Sequence, residues 1–185
     1  MQKKGAIGLS MNVLVVIIIS LVVLGMGVAM LYSFIEGASD IKTKLDAKTN
    51  AELERLLVNQ GKMVALPLHV ADIERGEMHL FGIGIMNVGD FGEEFYIKIE
   101  LSRAYNEDDE EITELVKTGI SDWFLFNDET IHIQEGDHVK ESIGVIVPQN
   151  ALKGQYIFAA RVFTDKSYSS DTQYDNKQNF IVNVI

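Results

Sequence analysis

Glu107, Asp108, Asp109, Glu110 and Glu111 form the densest run of ionisable side chains in the sequence. Carboxylates in a flexible loop suit Ca²⁺, which takes six to eight oxygen ligands. This run has none of the EF-hand spacing and no glycine at the turn position. It therefore reads as a solvated loop between strands, or as the start of a short helix through Ile112 to Lys117. The histidines are His69, His79, His132 and His138. No two sit four apart on a helical stretch. His132 and His138 flank a turn and could meet, but a zinc site needs three or four converging ligands, and nothing in the spacing supplies them. They read as surface side chains. Ser167, Ser169 and Ser170, in DKSYSSD, lack the G-x-S-x-G pattern of a nucleophile on a sharp turn and read as a polar loop. The glycines of GIGIMNVG (Gly82, Gly84, Gly89) miss the G-x-G-x-x-G spacing, and no helix follows them. A bulge or close packing in a strand explains them better. No catalytic residue, metal-ligand set or cofactor site is assigned, and the chain is read as a protein that is not an enzyme.

The elements that carry these residues are mostly strands. From Lys62 onward the apolar period is two. Met63–Ile73 is broadly strand-like, with Pro67 marking an edge or a bend. Met78–Val88 follows and ends in the turn-like Asn87–Asp90. Glu94–Ser102 alternates most regularly, with Phe95, Ile97, Ile99 and Leu101 on one side and Tyr96, Lys98, Glu100 and Ser102 on the other. Such alternation places one face on a core and one in water. Trp123–Phe126 and Thr130–Gln134 are short strands around Asn127 and Asp128. Val139–Val147, Gln155–Thr164 and Asn179–Ile185 complete the set. Seven to nine short strands separated by turn residues predict a β-sandwich.

Ahead of the strands the pattern is different. Met11–Ile35 is 25 residues without a charge, about 37 Å as a helix, against about 30 Å for a bilayer core. A secretory signal has a shorter apolar region of about 7–15 residues. The stretch reads as a transmembrane helix. Lys3 and Lys4 precede it and favour a cytoplasmic amino end, which leaves everything after Gly37 outside. Leu31, Phe34, Ala38, Ile41, Leu45, Leu53, Leu56 and Leu57 then continue an apolar stripe at spacings of three and four. Asp40 and Lys44 form a supportive i, i+4 pair. One helix from Met11 to Gln60 is predicted, with Gly37 a bend and Gly61 the stop. The fold class is α+β: a long transmembrane-to-amphipathic helix followed by an all-β sandwich. The domains are 1–10, a short cytoplasmic segment; 11–35, the span; 36–61, the amphipathic extension; and 62–185, the extracytoplasmic β-domain.

The chain carries a net charge of −11 from 16 basic and 27 acidic residues. Without Lys3 and Lys4 the remainder stands at 14 basic against 27 acidic, or −13. Such a surface repels nucleic acid and anionic lipid headgroups. With no cysteine, an exterior domain must hold together without disulfides. No N-x-[ST] acceptor for glycosylation is present either. Gly25, Gly27 and Ala29 offer small residues at a spacing that lets membrane helices approach closely.

KKGAIGLSMNVLVVIIISLVVLGMGVAMLYSF resembles the class III signal and helix of type IV pilin-like proteins, above all archaeal pilins and archaellins. The resemblance implies cleavage by a prepilin-type peptidase between Gly5 and Ala6, with Lys3, Lys4, Gly5 and Ala6 as the processing signal. It also implies an immunoglobulin-like sandwich after the helix. The helix would anchor the subunit in membrane lipid and then pack against copies of itself in a surface filament. Ser10 stands where bacterial pilins carry a glutamate, which separates this chain from the bacterial type. The alternative is an uncleaved single-span anchor whose immunoglobulin-like domain binds a cell-envelope protein or serves as a filament accessory.

Overall fold

The computed structural model describes residues 15–26 and 47–185. The chain divides into two units, Met1–Asp40 and Ile41–Ile185. Within the first, residues 15–26 form helix α1. The expectation of one unbroken helix from Met11 to Gln60 and a bend at Gly37 falls largely outside the described residues.

The second unit is a β-sandwich with helix α2 (Ala47–Glu54) and a π turn (Arg55–Asn59) at its start. The strands are β1 (Val64–Ala65), β2 (Val70–Ile73), β3 (Met78–Met86), β4 (Glu94–Asn106), β5 (Phe124–Leu125), β6 (Ile131–His132), β7 (His138–Ile146), β8 (Gly154–Phe163) and β9 (Gln178–Val184). A one-turn helix α3 (Thr113–Val116) lies between β4 and β5. One sheet has the order β1-β3-β7-β5 and the other β2-β9-β8-β4-β6. Leaving out β2 and β6, the seven remaining strands fall into the two sheets as strands A, B, E, D and G, F, C of an immunoglobulin sandwich do. All pairings are antiparallel except β2 with β9, which is parallel.

The core follows from the alternation. Phe81, Ile83 and Ile85 of β3, Ile143 and Val145 of β7, Tyr156, Phe158, Ala160 and Val162 of β8, and Phe180, Val182 and Val184 of β9 are all buried between the sheets. Aromatic rings occupy its centre: Phe81 lies 4.7 Å from Phe180, and Phe124 meets Phe158 edge-on at 4.9 Å. Edge-on and tilted pairs of this kind add about 0.5–1.5 kcal/mol each beyond burial. In a chain without cysteine they tie the sheets together.

Three expectations need correction. The stretch Met63–Ile73 is two strands in different sheets, β1 and β2, and the chain crosses between sheets around Pro67, whose missing N–H suits neither ladder. Strand β4 does not stop at Ser102. The pairing steps from Leu101↔Phe158 to Arg103↔Ile157, a bulge that leaves Ser102 over and resets the alternation; Ala104 then points inward and is fully buried. Finally, Trp123 belongs to a 3₁₀ turn (Ile120–Trp123), and β5 and β6 are only two residues each because loops, not ladder, fill 126–130 and 133–137.

Candidate functional site

Helix α1 presents its whole circumference. Its residues are exposed throughout, from 47% for Ile17 to 69% for Met26. Seven of the twelve are Val or Ile, β-branched side chains that disfavour a helix in water. The polar Ser20 turns its hydroxyl back to the Val16 carbonyl at 2.8 Å, so its hydrogen-bonding capacity is met inside the helix. A helix that is apolar all round belongs in a protein core or a bilayer. Gly25 sits here, with open space where a Cβ would point. Gly27 and Ala29, expected to share its helix-packing surface, and Lys3, Lys4, Gly5 and Ala6 of the expected processing signal lie outside the described residues. Among the described residues no helix is long and apolar enough to cross a membrane.

Helix α2 is built the other way. Leu53, Leu56 and Leu57 fall at i, i+3 and i+4 and are buried on the outer face of the four-stranded sheet, together with Ala65 and beside Met86. Burying each leucine is worth about 1.5–3 kcal/mol. The sheet receives them because β3 carries Gly84 at that point: an added Cβ there would stand 2.6 Å from Leu57 Cδ1 and 3.1 Å from Leu53 Cδ2. Of the glycines of GIGIMNVG, Gly84 thus serves close packing, while Gly89 takes a left-handed turn conformation at φ +97°. The helix ends in the wide π turn. Gly61, at φ +65°, donates to the Leu57 carbonyl and Lys62 to that of Leu56. These are the two bonds of a glycine cap, each lengthened by one residue.

A charged contact flanks the leucines. The Glu54 carboxylate accepts from Lys140 Nζ at 2.5 Å and pairs with His138 Nε2 at 3.1 Å. The Lys140 ammonium, with His138 second, holds the Glu54 carboxyl below its ordinary value. This contact spans 84 positions in the chain.

The remaining candidates are dispersed. The acidic run is an exposed turn after β4, organised by Asn106, whose Oδ1 accepts from the N–H groups of Asp108 and Glu110. Asp109 takes the left-handed conformation at φ 60°. The short helix expected after it is α3. Among the described residues no group of three or more His, Asp or Glu could hold a metal ion. The histidines are apart. His132 lies exposed on β6, opposite Glu94, in the five-stranded sheet. His138 lies in the other sheet against α2, so the two do not meet. His69 Nδ1 meets the Asn179 carbonyl at 3.0 Å, and His79 sits edge-on to Phe81. Ser167 donates its N–H to Asp165, and Ser169 lies 3.3 Å from the Thr172 hydroxyl. They form the polar loop that DKSYSSD predicts.

Two residues that carry the loops were not singled out as functional. Asn87, 1% exposed, donates to the carbonyls of Gly92 and Ile133. Tyr174 donates to the Met86 carbonyl and accepts from Val88 N–H, and burial pushes its phenol up. Both pin the loops at the α2 end of the sandwich.

No known protein family matches the chain, and no curated protein matches it. Solved structures do. The PapD-like domain 7 of human CEP192 aligns over 66% of this chain and 83% of that one, at 12% identity and a TM-score of 0.41. The class 5 fimbriae chaperone CfaA aligns over 64% of this chain and 54% of its own, at 13% identity and a TM-score of 0.41. MyfA, the major subunit of Myf fimbriae from Yersinia enterocolitica, aligns over 65% and 94%, at 12% identity and a TM-score of 0.33. These likenesses concern the β-sandwich and nothing finer.

Proposed function

We propose that the chain is a structural subunit of an archaeal type IV pilin-like surface filament. The observation that carries this reading is α1, a helix rich in Val and Ile that exposes every side chain, in a chain that also folds an independent sandwich. The helix would first lie in membrane lipid and then pack with identical helices of other copies. Lys3, Lys4 and Gly5 would direct a prepilin-type peptidase to cut before Ala6. The immunoglobulin-like domain would face outward and form the filament surface. The reading assigns no catalysis.

The test is the intact mass of the native protein in membrane and sheared-filament fractions. A species that begins at Ala6 and appears among sheared filaments is expected. A species that keeps Lys3 and Lys4 and stays with the membrane would replace the filament subunit by a static anchor. A freely dissolved species lacking the apolar helix would end both.

A further inference from the structure

Helix α2 and its π turn are held by contacts separate from the sandwich core. Leu53, Leu56, Leu57 and Ala65 form a cluster of their own; the side chains between the sheets form another. The two are divided by β3, which gives Phe81, Ile83 and Ile85 to the core and turns Gly84 toward the leucines. The backbone bonds at the end of the helical stretch, from Gln60, Gly61 and Lys62, close on Arg55, Leu57 and Leu56, within the stretch itself. The charged contact is half open to solvent: Glu54 is 46% exposed, His138 28% and Lys140 23%. Segments with few buried contacts of their own, fastened by exposed polar bonds, open before the global unit does.

We infer that residues 47–62 are a releasable strap: they leave the four-stranded sheet as one unit while the sandwich remains folded. Release uncovers Ala65, Gly84 and Met86. It also lengthens the connection to whatever precedes Ala47. The 13 helical residues from Ala47 to Asn59 span about 20 Å coiled and about 45 Å drawn out. The joint can therefore give without the head unfolding. The inference rests on the contacts of 47–62 alone, so it stands or falls separately from the filament reading.

Hydrogen exchange of the full chain in lipid nanodiscs, followed by mass spectrometry, tests it. Amides of 51–62 are expected to exchange together and ahead of those of β4, β8 and β9. Leu57→Ala should speed exchange over 51–62 by about tenfold or more and leave β4, β8 and β9 unchanged. Glu54→Gln, a milder change, should act in the same place and to a smaller extent. Exchange of 51–62 in step with β8 in the parent chain would overturn the inference. So would a Leu57→Ala variant that loosens the whole sandwich, fails to fold, or leaves 51–62 as protected as before.

Discussion

Helices α1 and α2 both contain leucine, yet they differ in what surrounds them. Helix α2 and its π turn carry three leucines on one side, charged residues on the other, and a glycine floor beneath them in β3. Helix α1 carries apolar side chains in every direction. The first finds its apolar partner in the sheet beneath it; the second is apolar toward every side. Periodicity in a helix thus reports the shape of its surroundings. A stripe means a surface within reach, and an all-round apolar helix means surroundings that are apolar on every side.

Four tests would break or sharpen this contrast. Leu53→Ala should weaken the seating of α2 by about 2–5 kcal/mol, read as faster tryptic cleavage after Arg55 and Lys62, whereas Leu24→Ala in α1 should leave that cleavage unchanged. If both act alike, the two helices are not distinct environments. Val22→Lys should cost about 2.5–3.5 kcal/mol if α1 lies at mid-bilayer, read as loss of the protein from the membrane fraction with the melting of the sandwich unaltered. Retention at the parent level would remove α1 from the membrane. Gly84→Ala should cost about 1–3 kcal/mol by overpacking against Leu57, read by the same tryptic assay. No change would show that the leucines shift freely. The smallest effect concerns Glu54. Its carboxyl is held low in the folded chain by Lys140, then His138, so its contribution is present above the ordinary glutamate value and disappears as pH falls through the lower folded one. The α2 amide signals in NMR should weaken on acidification over that range, and Glu54→Gln should flatten the response.

The strands were legible where the alternation ran unbroken. Phe180, Val182 and Val184 declare β9 directly, and Tyr156, Phe158, Ala160 and Val162 declare β8. Legibility failed where the backbone changes phase or partner. Past Ser102 the bulge shifts inward positions by one, so Ala104 looks misplaced to a period of two. Around Pro67 a single apolar stretch serves two sheets in turn, and composition carries no mark of the sheet to which each half belongs. Gly61 was readable as a helix stop because an αL position favours glycine, and Gly84 as close packing because its neighbours are strand formers. The Glu54, His138 and Lys140 contact was not, because its members are joined only by the fold. Asn87 reads as a turn residue in sequence. Its burial depends on two loops that converge only after folding. The all-round apolar character of α1 was legible from its residue types alone, while the expected processing signal lies outside the described residues.

The sandwich also limits how copies of this chain can meet. Its four outermost strands, β1, β5, β2 and β6, are two, two, four and two residues long, and β6 covers the long strand β4 at Glu94 and Phe95 only, so the outer side of β4 from Tyr96 to Ala104 borders no strand among the described residues. That stretch carries Lys98, Glu100, Ser102 and Arg103, exposed or half-exposed, and charge on an open border discourages a ladder from growing across molecules. The heads are thus poor at fusing into a shared sheet and resist runaway fibre growth, which leaves ordered self-association to side-chain surfaces.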